Sequence, residues 1–140
     1  MFRILIAVSI KYFSLILAMY ACYMFLRGHN EPGGGFIGGL LLSLAGILYH
    51  RYTNKNSLLV KLVDRFHQIL GTLILVLIFT ATVPFLFDQP FLKGMWSSFP
   101  LPIAGKFSSI LIFDTLIFLI VALGVFNSYF LIKNAQVERD

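Results

Sequence analysis

The stretch ILGTLILVLIFTATVPFLF, Ile69–Phe87, runs nineteen residues without a charge. At ~1.5 Å per helical residue it is about 28 Å long, the thickness of the roughly 30 Å hydrocarbon layer of a bilayer. Pro84 near its end predicts a kink or a stop. The rest of the chain has the same character: of 140 residues, 59% are hydrophobic and 12% charged, and the mean hydropathy is +0.88. Soluble domains average about 45–50% apolar and ~25% charged residues. No core that this length can enclose in water absorbs such an excess, so the excess faces lipid and most soluble enzyme classes are excluded. The net charge of +5 comes from 11 Lys/Arg against 6 Asp/Glu spread along the chain. Without a basic run or interleaved aromatic platform it points away from nucleic acid and reads as a topology signal. The single cysteine, Cys22, lies among apolar residues and has no disulfide partner in the chain, so it reads as packing.

Working outward, Ile4 to Leu26 is apolar except for Lys11, which can snorkel to the near surface. No small-residue cleavage pattern follows, so a retained helix is expected rather than a removed signal peptide. A glycine-rich break covers residues 27–39, after which an apolar run ends at Tyr49. Counted from Gly33, that second span has 17 residues and is about 25 Å long, marginal for a crossing. Residues 50–65 are polar and basic, yet Leu58, Leu62 and Phe66 recur every four residues, the pattern of a short helix lying along the interface. After Asp88, Pro90, Trp96, Pro100, Pro102 and Lys106 mark a loop folded at the membrane surface. A last apolar run, Phe107 to Ile132, carries one charge, Asp114. The expected fold is therefore all-α: a single membrane domain over 1–140, polytopic, with four transmembrane helices at 4–26, 33–49, 67–87 and 107–132.

Four crossings place the N-terminus, the 51–65 loop and the C-terminal tail on one side. That side carries eight cations, Arg3, Lys11, Arg51, Lys55, Lys61, Arg65, Lys133 and Arg139, against Arg27, Lys93 and Lys106 on the other. The positive-inside rule makes both termini cytoplasmic.

Two features carry polar chemistry inside this frame. The first is Gly28-His29-Asn30-Glu31-Pro32-Gly33-Gly34-Gly35-Phe36-Ile37-Gly38-Gly39. It is not a nucleotide loop, since no strand precedes it and no Gly-Lys-Ser/Thr closes it. One reading is a tight turn shaped by Pro32 followed by a helix whose bare face, Gly35, Gly38 and Gly39, packs closely on a neighbour. The other is a broken helix in which exposed backbone with His29, Asn30 and Glu31 lines an ion or proton path. The second feature is Asp114. An unpaired carboxylate at the bilayer centre costs on the order of 2.5–3.5 kcal/mol, so it either joins a proton or cation route or hydrogen-bonds a neighbouring helix. His29, His50 and His67 are too far apart in sequence for metal spacing and read as interfacial polar residues. No nucleophile elbow or paired carboxylates occur, so neither an enzyme nor a cofactor or metal site is expected.

The glycine motif resembles the signature of the B subunits of the multisubunit cation/proton antiporters, the Mrp or Mnh family. Pro90-Phe91-Leu92, Leu101-Pro102-Ile103-Ala104-Gly105-Lys106 and Ile112-Phe113-Asp114 are similar to that family in order and spacing. The family motif falls on Gly28, His29, Pro32, Gly33, Gly34, Gly35, Phe36, Gly38 and Gly39, while Glu31 occupies a position that varies and is often uncharged. The resemblance implies a small four-helix subunit of a bacterial or archaeal cell-membrane complex. That complex exchanges cytoplasmic Na+, or another monovalent cation, for external protons. The partners it implies are large proton-pump-like subunits and further small ones. The rival is a purely structural or assembly subunit of that complex, or of a related membrane-bound hydrogenase or oxidoreductase complex that shares the signature. The topology has a direct check: a reporter fused after Asp140 is expected to be active in the cytoplasm, and activity only outside would invert the assignment.

Overall fold

In lipid every backbone N–H and C=O must be satisfied within its own segment, and an uncharged run without internal proline does this as a helix. The computed structural model describes residues 2–28, 34–53, 65–101 and 105–137. Among them are four long helices: α1 Phe2–Arg27, α2 Gly34–Thr53, α3 Phe66–Thr82 and α4 Ser109–Val137. Three helical stretches, Ile4–Arg27, Phe66–Phe87 and Ser109–Gln136, are long and apolar enough to cross a membrane. α2 has 20 residues, about 30 Å, but four glycines in its first six positions, with His50 and Arg51 near its end, dilute its hydropathy below that level. The surface helix expected around Leu58 and Leu62 lies outside the described residues, and Phe66 is the first residue of α3.

α3 stops where Pro84 lacks the N–H that an α-helix needs, and the chain tightens into a 3-10 turn over Val83–Phe87. Asp88 closes that turn in the left-handed region, with φ 55°, and its N–H is shared between the carbonyls of Phe85 and Pro84. The following segment differs from the loop expected there. Trp96–Leu101 and Gly105–Ser108 pair as an antiparallel hairpin, β1 and β2, with an irregularity between Trp96 and Pro100. Pro100 has no donor to give a ladder, which fits a two-stranded ribbon that is all edge. Because the hairpin takes Phe107 and Ser108, α4 begins at Ser109 rather than at Phe107. It then continues past Ile132 to Val137, since a helix leaving lipid keeps its hydrogen bonds without apolar side chains.

The junction is held by paired bonds. The Ser109 N–H donates to the Met95 carbonyl and the Met95 N–H to Ser109 Oγ, both at 2.9 Å. Buried Ser108 caps α4, its Oγ accepting the Leu111 N–H at 3.2 Å.

The helices pack in the order α1, α2, α4, α3. α1 and α2 are antiparallel, with Gly28 against Gly34 at one end and Gly38 against the Ala21 carbonyl farther along. α3 ends beside the start of α4, where Thr80, Ala81 and Pro84 line one cavity with Ser109, Ile110 and Phe113. Buried Ser14 and Ser43 turn their hydroxyls onto the carbonyls of Lys11 and Leu40, so neither leaves a polar atom bare at a helix contact. Thr72, Thr80 and Thr82 likewise bond backbone within α3. The core is thin, and Leu75, Ile78 and Phe79 on α3, like Leu15, Ile16 and Met19 on α1, stand exposed. Such faces need lipid or further protein against them. Replacing Ser108 by Ala strands the Leu111 N–H. It is expected to cost roughly 1 kcal/mol, read as a lower unfolding temperature of the reconstituted chain with helix content unchanged.

Candidate functional site

The first turn of any helix has backbone N–H groups without partners in that helix, and a carboxylate beside them is doubly favoured by hydrogen bonding and by the helix dipole. α2 starts at Gly34, and the N–H of Gly35 donates to Asp114 Oδ1 at 3.1 Å. Asp114 is half-buried in the second turn of α4, about 8 Å along that helix from Ser109. The two sequence features thus meet.

That approach depends on glycine. A Cβ on Gly35 would collide with Asp114 Oδ1 and come within 2.5 Å of the Asp114 carbonyl oxygen. On Gly39 it would lie 2.7 Å from the Phe118 carbonyl oxygen, and on Gly46 3.2 Å from the Phe126 ring. Gly38 sits between neighbours, 3.0 Å from the Ala21 carbonyl and 3.1 Å from the Phe118 ring by the same measure. Gly28 and Gly34 press backbone on backbone where α1 ends and α2 begins. From Gly35 and Asp114 through Gly39 and Phe118 to His50 and Phe130, contacting residues differ by 79 or 80 positions. A constant difference means that α2 and α4 run parallel and in step.

Of the remaining motif residues, His29, Asn30, Glu31, Pro32 and Gly33 lie outside the described residues. Phe36 is 54% exposed and takes no part in the buried glycine contact. Phe118, Val121 and Phe126 receive the glycines and belong to no sequence motif. The two phenylalanines lie on a stripe, Asp114, Phe118, Ala122, Phe126 and Phe130, that recurs every four residues along α4.

His50 departs from the interfacial residue expected. It is 7% exposed, its ring centroid lies 4.7 Å from that of Phe130, and its Nδ1 has no hydrogen-bond partner. It sits one residue beyond the apolar run, and burial, then the charge of Lys133, hold its pKa below the usual 6.5. His67 is exposed beside Phe66. Among the described residues no group of three His, Cys, Asp or Glu is placed to hold a metal ion.

A family model described as a domain related to the MnhB subunit of the Na+/H+ antiporter matches residues 5–127. The chain belongs to the MnhB family. The B subunit of the Na(+)/H(+) antiporter of Bacillus subtilis (strain 168) is 33% identical over 120 residues, 84% of each chain. The putative antiporter subunit mnhB2 of Staphylococcus aureus (strain Newman) is 40% identical over 101 residues, 71% of this chain and 72% of that one. The matched MnhB region holds the whole glycine motif, His50 and Asp114, whereas Lys133 lies beyond it. MnhB chains are membrane subunits of antiporters, so ion transport within a multisubunit complex, rather than catalysis, is the family's setting.

The glycine contact of this MnhB chain makes a graded expectation. Gly39→Ala forces α2 from α4 and is expected to cost about 1–3 kcal/mol. Gly124, with nothing within 4 Å of an added Cβ, is expected to accept alanine with a gain of roughly 0.5–1 kcal/mol. Unfolding midpoints of the two variants, measured side by side in the same lipid, check the contrast.

Proposed function

We propose that the chain is a four-crossing subunit of a multisubunit antiporter that exchanges cytoplasmic Na+, or another monovalent cation, for external protons. Within it, α2 and α4 form the latched centre of a scaffold against which larger subunits seat. Its relatives' names support the antiporter setting, and those relatives are bacterial, which agrees with a multi-pass protein of the bacterial cell membrane. The alternation of helix directions supports a crossing by α2 as well. α1 and α4 flank it on either side, so its glycines and Ser43 need never face lipid. Both termini are then cytoplasmic on the Lys/Arg count.

One observation carries the scaffold reading: the Asp114 carboxylate accepts the first-turn amide of α2. A hydrogen bond of this kind contributes roughly 0.5–1.5 kcal/mol, and leaving the buried amide without an acceptor costs about 1–3 kcal/mol. The glycine motif and Asp114 act together as a latch between two helices. The exposed apolar faces of α1 and α3 offer the surfaces against which partner subunits and lipid pack.

Substitution at Asp114 separates a latch from an ion site. Asn keeps an acceptor oxygen for the Gly35 amide, so Asp114→Asn is expected to preserve complex assembly and most of the antiport in membrane vesicles. Asp114→Leu removes the acceptor and is expected to lower assembly and antiport together. A fully assembled Asp114→Asn complex without transport would place the carboxylate on the ion path and overturn the scaffold reading.

A further inference from the structure

The acids among the described residues are Asp88 and Asp114, and both stand where α3 ends and α4 begins. No carboxylate among those residues is therefore near the opposite end of the molecule, where α2 and α4 finish. There a cavity of 440 Å³ opens against the two helices, lined by His50, Arg51, Tyr129, Ile132, Lys133 and Gln136. His50 is more than nine-tenths buried, and its ring packs on Phe130 with centroids 4.7 Å apart. That contact holds the register between α2 and α4, so Arg51 and Lys133 reach the same cavity within one helical turn of each other. Two cations facing one cavity repel each other. The backbone offsets part of the excess: α2 closes at Thr53 and α4 at Val137, and a helix end carries roughly half a negative charge. Two full charges against two such ends leave an excess of about one positive charge, which one monoanion balances.

We propose that this cavity binds a phosphate diester, the headgroup phosphate of one anionic phospholipid of the adjoining leaflet. Such a phosphate carries a single charge and two free oxygens. The Arg51 guanidinium pairs with both oxygens or shares them with the Lys133 ammonium. The Tyr129 phenol and the Gln136 amide add neutral donors. A free phosphate offers the same oxygens, and the rim decides between the two sources. Ile132 lines the cavity and is 62% exposed, and Leu131 beside it is 60% exposed. Acyl chains cover such a rim, whereas a free ion leaves it in water. Basic pockets between membrane helices take anionic headgroups at the cytoplasmic face, and the Lys/Arg count puts these helix ends there. The apolar trench bounded by Lys11, Ala18, Gly46 and Ala122 shares no residue with the cavity and is not part of the site.

The test uses the full chain in its complex, reconstituted into equal parts phosphatidylglycerol and phosphatidylcholine of the same acyl chains. It is then repurified, and the retained lipids are quantified by mass spectrometry. The wild type is expected to retain phosphatidylglycerol in preference. Arg51→Gln combined with Lys133→Gln, both exposed positions, is expected to cut that preference about tenfold with assembly intact. Lys11→Gln, which removes the cation of the trench, is expected to leave the preference unchanged. Equal retention of the two lipids by the wild type would overturn the proposal, as would an unchanged preference in the double variant. Loss of the preference in Lys11→Gln would assign the lipid to the trench instead. Release of phosphatidylglycerol by inorganic phosphate would overturn the lipid as occupant and leave the cavity to a free anion.

Discussion

The amide of Gly35 has no carbonyl of its own helix to bond, and the protein answers it with a carboxylate 79 residues farther along the chain. In water such a donor is satisfied by solvent at little cost. Within or near a hydrocarbon layer it is not, and each unsatisfied backbone group there costs several kcal/mol. One bond resolves two difficulties. The amide gains an acceptor, and the carboxyl group of Asp114, expensive in lipid without a partner, gains a donor and the positive end of a helix dipole.

The geometry of that bond fixes much else. For a side chain on the second turn of α4 to reach the first turn of α2, the two helices must start at the same level, and the constant register of their later contacts makes them run in the same direction. Antiparallel neighbours come from a short connection, as α1 and α2 show. A parallel pair needs an intervening helix that runs back, which α3 supplies. Backbone contact then has to persist along the seam, and Gly35, Gly39 and Gly46 each remove the side chain that would hold α4 away. The consequence is visible in composition. α2 is the helix least marked as a crossing by hydropathy because its glycines serve neighbours rather than lipid.

The outer surfaces follow a different logic. α1 and α3 each lean on one neighbour and leave large apolar side chains uncovered, so this chain is built to be surrounded. The hairpin and the Met95–Ser109 bonds brace the entry of α4 at the end where Asp114 acts. At the opposite end, where α2 and α4 finish, His50, Arg51 and Lys133 gather around a cavity instead of a latch. The same parallel pair thus has a polar latch at one end and an open polar cavity at the other.

The sequence by itself determined the membrane setting, the apolar runs that become α1, α3 and α4, the stop at Pro84, and the family, through a glycine motif whose residues need no structure to be recognised. These are local properties: hydropathy, a missing donor, a string of residue types. The hairpin was not legible because Trp96–Leu101 lacks the alternation of a half-buried strand and contains Pro100. The burial of His50 was hidden because a histidine beside Arg51 at a helix end has the composition of an interface. The role of Asp114 was legible only as a choice between an ion route and a helix contact. The stripes were present, glycines on α2 and Asp114, Phe118 and Phe126 on α4, but a stripe does not state which other stripe it meets. That pairing depends on direction and register between segments nearly 80 residues apart, and only the tertiary structure decided it, by placing the Gly35 amide within hydrogen-bonding distance of the Asp114 carboxylate.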